Sequence, residues 1–388
     1  MMTTSIPQPP GIPLWGNILD VDPSNTWTSL QKLWEKYGEI FKITQYAIRS
    51  AFANSSVALY EIRYAVHNSL FSAFDDEASW GVHHRILAPL ITPAAVADRF
   101  IQVRDCASEL TAKWRALSGD SSVSAIGQLN RPDLETTTLC FYGRKLNGLT
   151  GPEPPMINAM NGATSEAIKR PTRPRLVNWL FYQSKFEKDT KAMRQYAAEC
   201  LDYRKPNPAD RKDMLYSMMN DKDPETGQAL SEQEIIDEIV TTPIGSKSRV
   251  CYESPRRDGS VIGDGEFTHD HLESLPYCAG IVRESLRLSA AAPGFNIEPL
   301  PDAQGPILLG GGKYHVPAKQ TLIIVLHGVN RDPTVFERPE TFKSERMVGE
   351  AFEKLPEGSK KWFGNGRRDG WFNLRPVDFY IKVKPRAK

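Results

Sequence analysis

The sequence predicts a mainly α-helical protein with small β-sheets, and three observations support that prediction. Between residues 97 and 206, apolar residues recur at steps of three and four, which is the spacing of the buried face of a helix. The segment AGIVRESLRL, which starts at Ala279, continues this pattern and carries an acid and a base three positions apart. Strand-like sequence is short and comes late, as in VPAKQTLIIV from Val316.

Composition excludes several classes of protein. The 388 residues carry a formal net charge of +1 with dispersed basic residues, so we expect no nucleic-acid partner. Five cysteines without Cys-x-x-Cys spacing argue against a disulfide scaffold or a zinc site and predict a reducing, cytoplasmic setting. The N-terminal segment has no apolar run of the roughly 20 residues that cross a bilayer, so we expect no transmembrane anchor.

Three elements are predicted before residue 97. A helix runs from about Thr26 to Tyr37, and a strand follows near residues 40–44. In the segment SWGVHHRILAPLI, Trp80 and His84 are four positions apart on a helix, so both side chains point the same way, with Arg85 beside them. A tryptophan at helical spacing is by itself more typical of a core than of a binding site.

Four amphipathic segments lie between residues 97 and 206, and they indicate packed helices rather than a chemical site. A proline-broken turn interrupts them and carries the basic residues Lys169, Arg170, Arg173 and Arg175. The simplest interpretation of this cluster is a solvated turn. Contact with a membrane surface is the alternative.

A further helix is predicted to start at Ser231, because Glu234 three positions later completes a capping box. Pro243 is expected to interrupt the helix just after Thr241 and Thr242, and we assign these two threonines no role. Residues 245–260 are polar and aperiodic, which is the composition of a loop.

Glu284 and Arg287 are the residues on which a family resemblance depends. They are followed by the strand-like segment, then HGVNRDP, SERM around Arg346, and KKWFGNGRR. In that order these elements resemble the C-terminal half of the cytochrome P-450 family, the haem-thiolate monooxygenases. The N-terminal segments PPGIPLWGNILDVDP and LQKLWEKYGEIFKI resemble its soluble, reductase-fused fungal and bacterial fatty-acid hydroxylase branch.

The resemblance implies roles for particular side chains. Glu284, Arg287 and Arg346 would form a buried ion triad that fixes geometry rather than adding stability. The residues implied to bind the propionates of haem b are Trp80, His84 and Arg368. Phe363 and Gly366 fill fixed places of the haem loop. The place of the iron-ligating cysteine falls on Gly370, and no cysteine follows Cys278.

The domain prediction is one haem-domain-like unit over residues 1–388, with an incomplete cytochrome P-450 fold. The atypical polar insert at residues 245–260 replaces part of the central helix, and residues 369–373 form a junction at which the haem-ligand loop is lost. No metal ligand can be assigned.

The resemblance implies a monooxygenase that inserts one oxygen atom from O2 into a small apolar substrate, fatty-acid-like or a secondary metabolite. Electrons would come from NADPH through the FAD and FMN of a flavoprotein reductase, separate or fused. One alternative is a haem-thiolate isomerase, which needs the same cysteine. The other is a catalytically inactive, haem-free product of a misjoined or degenerate gene.

Three other features have structural interpretations. Gly310, Gly311 and Gly312 predict a hairpin turn rather than a phosphate-binding loop. His315 and His327 have no partners at metal-ligand spacing and are expected to be structural or exposed. No Gly-x-Ser-x-Gly motif is present, so the sequence contains no sign of this type of serine nucleophile.

Overall fold

A computed structural model describes residues 4–13, 16–17, 19–22, 26–43, 57–73, 77–117, 122–170, 173, 175–246, 266–272, 274–288, 294–297, 307–317, 322–356 and 380–382. The described chain is mostly helical with small antiparallel sheets, as predicted. It divides into two units. One draws on Met1–Val57 and Leu275–Arg375, and the other on Ala58–Ser248, Gly259–Ser274 and the C-terminal strand.

The helices of the second unit include the predicted amphipathic segments between residues 97 and 206. They are α2 (Val57–Val66), α3 (Ser79–Leu87), α4 (Pro93–Ala97), α5 (Phe100–Arg115), α6 (Ala125–Tyr142), α7 (Pro155–Lys169), α8 (Arg175–Val177), α9 (Gln183–Arg204), α10 (Met214–Asn220) and α11 (Glu232–Ser246). A π-helical turn, Asn178–Tyr182, joins α8 to α9. Strands β1 (Ser122–Ser124) and β6 (Tyr380–Lys382) pair antiparallel.

Helix α9 shows why these segments form a core. Phe186, Met193, Ala197 and Cys200 are buried at steps of three, four and seven, so they lie along one face of the helix. That face packs against α7 and α11. The remaining face is polar and exposed, which is the amphipathic pattern that the sequence predicts.

Helix α11 begins as predicted and ends later than predicted. Glu234 accepts a hydrogen bond from the Ser231 backbone N–H at 2.8 Å, and the Glu234 N–H donates to Ser231 Oγ at 3.3 Å, which confirms the capping box. The prediction that Pro243 interrupts the helix is wrong, because the helix continues to Ser246.

The continuation past Pro243 has a tertiary cause. Pro243 has no N–H to donate to the Ile239 carbonyl four residues earlier. The buried Tyr142 hydroxyl donates to that carbonyl at 3.4 Å and so supplies the missing donor.

The elements of the first unit are shorter. Its helices are α1 (Thr26–Tyr37), α12 (Pro276–Leu288), α13 (Leu326–Val329) and α14 (Gly349–Glu353), and its strands are β2 (Phe295–Ile297), β3 (Ile307–Leu309), β4 (Tyr314–Val316) and β5 (Leu322–Ile324). β2 pairs with β5, and β3 pairs with β4, both antiparallel. Helix α1 has the predicted bounds and packs against α13.

Two sequence predictions in this unit have opposite outcomes. The hairpin turn is confirmed, because Gly310, Gly311 and Gly312 join β3 to β4 with φ of 60°, 65° and 93°, where a side chain would be strained. The strand near residues 40–44 is wrong for residues 40–43, which form no strand. Lys42 instead makes one isolated backbone hydrogen bond, to the Pro7 carbonyl at 2.8 Å.

Within the described ranges, none of the helices combines the length and the apolar character that a bilayer crossing requires.

Candidate functional site

Helix α3 presents the two residues that the resemblance assigns to haem propionates. The rings of Trp80 and His84 stack with centroids 4.8 Å apart and planes 15° apart, so they lie on one helical face. Trp80 is 50% exposed and His84 is exposed. An indole N–H and an imidazole on an accessible face are able to donate hydrogen bonds to carboxylates. The assignment of these two residues to propionates stays a prediction.

His83, about 100° around the same helix from His84, is buried. Its Nδ1 lies 2.6 Å from Glu238 Oε1, and its Nε2 lies 3.5 Å from Glu234 Oε1. Both acids belong to α11, so this side chain ties α3 to α11. Burial lowers the pKa of His83, but the hydrogen bonds and charges of Glu238 and Glu234 outweigh burial, and the net shift is upward.

Arg85 does not join the exposed face formed by Trp80 and His84. Its Nε and Nη2 donate to the two carboxylate oxygens of Asp223 at 2.6 and 2.8 Å. Hydrogen bonding by Arg85 holds the pKa of Asp223 well below its usual range. This bidentate pair anchors α3 to the loop after α10.

In the other unit, the structure brings Glu284, Arg287 and Arg346 together. Arg287 Nε and Nη2 donate to Glu284 Oε2 and Oε1, each at 2.8 Å, and neither side chain is exposed. Arg346 Nε lies 3.2 Å from Glu284 Oε1. Burial and the charge of Arg287 lower the pKa of Arg346, while Glu284 raises it. The net shift is downward.

Backbone groups add hydrogen bonds to this triad. Arg287 Nη1 donates to the Asn330 carbonyl at 2.8 Å, and the Lys343 N–H donates to Glu284 Oε1 at 2.9 Å. The three side chains therefore connect α12 to the 3₁₀ turn Ser344–Met347 and to the segment that precedes this turn. Gly280 allows this close approach, because a Cβ there would lie 2.3 Å from Val348 Cγ2. That the triad fixes the geometry of a haem loop stays a prediction.

The haem-loop predictions fall outside the described residues. These are Phe363, Gly366 and Arg368, the ligand position Gly370, and the junction at residues 369–373. Of the predicted insert at residues 245–260, only residues 245–246 are described, as the end of α11.

Among the described residues, the three buried cysteines do not favour a thiolate-ligated haem. A thiolate is the iron ligand that such chemistry requires, and it is favoured by a low thiol pKa. Burial raises the pKa of Cys140 to about 11 and also raises those of Cys106 and Cys200. The described residues contain no cluster of three or more His, Cys, Asp or Glu able to hold a metal ion.

Sequence reasoning missed His83, although the residue is adjacent to the predicted His84. The one available signal was the helical period, because neighbouring positions point about 100° apart and place one histidine inward when the other is outward. Its acidic partners come from α11, so no local pattern could identify them. Thr241 and Thr242, left unassigned, donate to the carbonyls of Asp237 and Glu238 within α11.

Comparison with known proteins gives a consistent set of similarities. A family model described as Cytochrome P450 matches residues 6–246 and 258–369. The chain is 32% identical over 403 residues to a bifunctional cytochrome P450/NADPH–P450 reductase of Aspergillus oryzae. It is 30% identical over 402 residues to a self-sufficient cytochrome P450 monooxygenase of Oidiodendron maius, and 32% identical over 405 residues to one of Phanerodontia chrysosporium.

The similarity covers nearly all of this chain but a minor part of each relative. The matches take in 94% to 95% of the chain and 36%, 37% and 38% of these three proteins. The chain therefore spans a little over a third of the length of the curated relatives it matches.

Proposed function

Because this chain belongs to the cytochrome P450 family, we propose that its functional form is the haem domain of a monooxygenase. In this proposal it binds haem b and inserts one oxygen atom from O2 into a small apolar substrate, fatty-acid-like or a secondary metabolite. NADPH supplies the electrons through the FAD and FMN of a flavoprotein reductase, separate or in the same polypeptide. The setting we propose is the cytoplasm.

One observation carries this proposal. Relatives whose names join a cytochrome P450 to an NADPH–P450 reductase align with 94% of the chain. The accessible Trp80 and His84 pair and the Glu284, Arg287 and Arg346 triad support it, because they are the positions to which the resemblance assigns propionate binding and helix locking.

A second candidate is a haem-free, catalytically inactive product of a misjoined or degenerate gene. The observation in its favour is Gly370 at the expected cysteine position, with no later cysteine in the chain. The family match also leaves residues 247–257 unmatched and ends at residue 369. A haem-thiolate isomerase requires the same cysteine, so this observation counts equally against it.

Sequencing the transcript and assaying the encoded protein separates the two candidates. For the monooxygenase, we expect a message that encodes the missing segments with a cysteine in the haem loop. Its product, with a flavoprotein reductase and NADPH, should add one oxygen atom to a fatty acid, as detected by mass spectrometry with labelled O2. A message that encodes Gly370 with the same junctions, and a product without turnover, would establish the inactive candidate.

A further inference from the structure

A cleft of about 420 Å³ lies between the C-terminal end of α2 and the middle of α9. Every side chain that lines it carries a polar or charged group. The lining residues are Tyr64, His67, Glu187, Thr190, Lys191 and Arg194. These six residues are called the α2–α9 cleft below. Sites for small molecules are commonly clefts of roughly 300–1,000 Å³, so this one has room for such a ligand.

Thr190 brings an unused hydroxyl to the wall of this cleft. It is 7% exposed, and its Oγ1 has no hydrogen-bond partner in the part of the chain that the structure describes. Other helical threonines use the hydroxyl to donate to the carbonyl four residues earlier, at 2.6 to 2.8 Å, namely Thr111, Thr138, Thr164, Thr241 and Thr242. An unsatisfied buried hydroxyl costs free energy, so a ligand that supplies its partner gains that energy on binding.

Two cations follow Thr190 along α9. Lys191 is exposed, and its ammonium takes part in no ion pair within the described ranges. Arg194 lies one helical turn after Thr190 and so on the same side of the helix. Its Nη1 is 2.9 Å from Asp237 Oδ1, as an ion pair without a hydrogen bond. The free positive charge of the cleft is therefore that of Lys191, and Arg194 adds guanidinium N–H groups beside it.

The acid among the six lining residues is already engaged. Glu187 Oε1 accepts from Gln183 Nε2 at 2.8 Å and from the Tyr64 hydroxyl at 3.4 Å. Gln183 Nε2 also donates to the Tyr64 hydroxyl at 3.3 Å. The groups that the cleft keeps for a ligand are therefore mainly hydrogen-bond donors.

His67 ends α2 in a strained backbone conformation. Its φ of 49° lies in the left-handed region, and its N–H donates to the Arg63 carbonyl at 2.7 Å. It thus holds the position after a helix at which glycine is usual. A residue kept in such a conformation is a reason to look for function. The His67 side chain is 48% exposed and lines the cleft, so its imidazole is accessible to a ligand there.

We propose that the α2–α9 cleft binds the oxyanion group of a small molecule, a phosphate or a carboxylate, through Thr190, Lys191 and Arg194. The His67 imidazole contacts the ligand from the α2 side. Hydroxyl, ammonium and guanidinium groups all donate to oxyanions, and hydrogen bonds between charged partners are the strong ones. A bound oxyanion accepts from the otherwise unpartnered Thr190 hydroxyl and offsets the charge of Lys191. The proposal does not depend on haem binding or on oxygenase activity.

The test is titration calorimetry and thermal unfolding of the full 388-residue chain with inorganic phosphate and, separately, with acetate, at constant ionic strength. We expect at least one of them to bind at one site per chain and to raise the unfolding temperature, because a ligand that binds only the folded state stabilises it. Tighter binding of phosphate than of acetate would identify a phosphate as the group that the cleft takes, and the reverse order a carboxylate. Binding of neither probe by a parent chain with a normal thermal unfolding transition would overturn the proposal.

Substitution of Lys191 locates the bound anion. Lys191→Gln should weaken binding about tenfold, because it removes a charged donor from the cleft. The matched control, Lys188→Gln, removes an exposed lysine of the same helix that does not line the cleft, and it should bind like the parent chain.

Thr190→Val separates ligand binding from stability, because the two should change in opposite directions. Without an anion, the variant should unfold at a higher temperature than the parent, since it has lost a buried hydroxyl without a partner. Its affinity for the anion should nevertheless fall. Equal anion binding by the parent, Lys191→Gln and Thr190→Val would place the anion elsewhere and overturn the proposal. A rise in unfolding temperature of the same size in all variants would reveal a general salt effect and also overturn it.

Discussion

Arg287 and Glu284 form two parallel hydrogen bonds of 2.8 Å inside a unit that leaves neither side chain exposed. Taking two charges out of water is costly, and their attraction offsets that cost only when every remaining donor and acceptor is satisfied. Here the Asn330 carbonyl and the Lys343 N–H add hydrogen bonds to the pair, and Arg346 Nε lies 3.2 Å from Glu284 Oε1 as an ion pair without a hydrogen bond. The pair therefore depends on the correct position of three separate chain segments, which makes it sensitive to loss of either member.

Replacement of Arg287 by alanine should destabilise the protein severely. Glu284 would be left as a buried, partly paired carboxylate, at a cost of about 3–5 kcal/mol in the free energy of unfolding. Urea unfolding followed by circular dichroism measures this, together with the yield of soluble protein. Arg338→Ala is the control, because its contact with Glu337 joins two exposed side chains. An Arg287→Ala variant with the parent midpoint and yield would show that the pair contributes nothing to stability.

Tyr142→Phe should destabilise α11, because it removes the hydroxyl that donates to the Ile239 carbonyl in place of the N–H that Pro243 lacks. Loss of one buried donor to the Ile239 carbonyl is expected to cost about 1 kcal/mol, since the hydrogen bond is long. Pro243→Ala should reduce that cost, because alanine restores an N–H for the same carbonyl.

The measurement for this prediction is a double-mutant cycle of urea unfolding on the parent, both single variants and the double variant. Tyr203→Phe controls for removal of a tyrosine hydroxyl from a half-exposed side chain. If the two substitutions prove additive, Tyr142 and Pro243 do not interact through the Ile239 carbonyl.

His83 should make stability depend on pH in a defined direction. The pKa of His83 is raised above 6.5 in the folded protein, where Glu238 and Glu234 oppose burial. Protonated His83 therefore stabilises the fold fully below 6.5, and this contribution is lost as pH rises through the raised value. The difference in unfolding free energy between the parent and His83→Gln should shrink over that rise.

Subtracting the unfolding free energy of His83→Gln from that of the parent separates the effect of His83 from that of other groups that titrate at similar pH. His327, for example, has its pKa lowered to about 4 by burial and by Arg331, so its effect on stability has the opposite direction. His84→Gln is the control, because it changes an exposed histidine on the same helix. A difference between parent and His83→Gln that stays constant with pH would contradict the assigned contacts.

The sequence was sufficient where one local pattern determined the outcome. The bounds of α1, the capping box at Ser231 and the hairpin turn at Gly310 all depend on residues within a few positions of one another. It was insufficient where the partner lies far away along the chain. Tyr142 allows α11 to pass Pro243, and Glu238 holds His83 inside, and neither partner has a local signature.

The same limit explains the outcome for the candidate site. The i, i+3 spacing of Glu284 and Arg287 and the i, i+4 spacing of Trp80 and His84 are local, and the structure places each pair in contact. The segment near residues 40–43 has strand composition, but a strand requires a partner with a continuous ladder. Among the described residues, Lys42 donates to one backbone carbonyl, that of Pro7.

The chain with Gly370 should give no reduced carbon monoxide spectrum of the thiolate-ligated type after haem is added. That spectrum requires a thiolate on the iron. Cys106, Cys140 and Cys200 are buried, and burial raises the pKa of each thiol, which disfavours the thiolate form that would have to substitute for it. Absorbance spectroscopy of the purified chain, reduced under carbon monoxide, makes the measurement.

A variant with these three cysteines changed to alanine is the control and should give the same spectrum. A thiolate-type band from the parent chain that the triple variant lacks would show that one of the three reaches the iron, and the argument from burial would then fail.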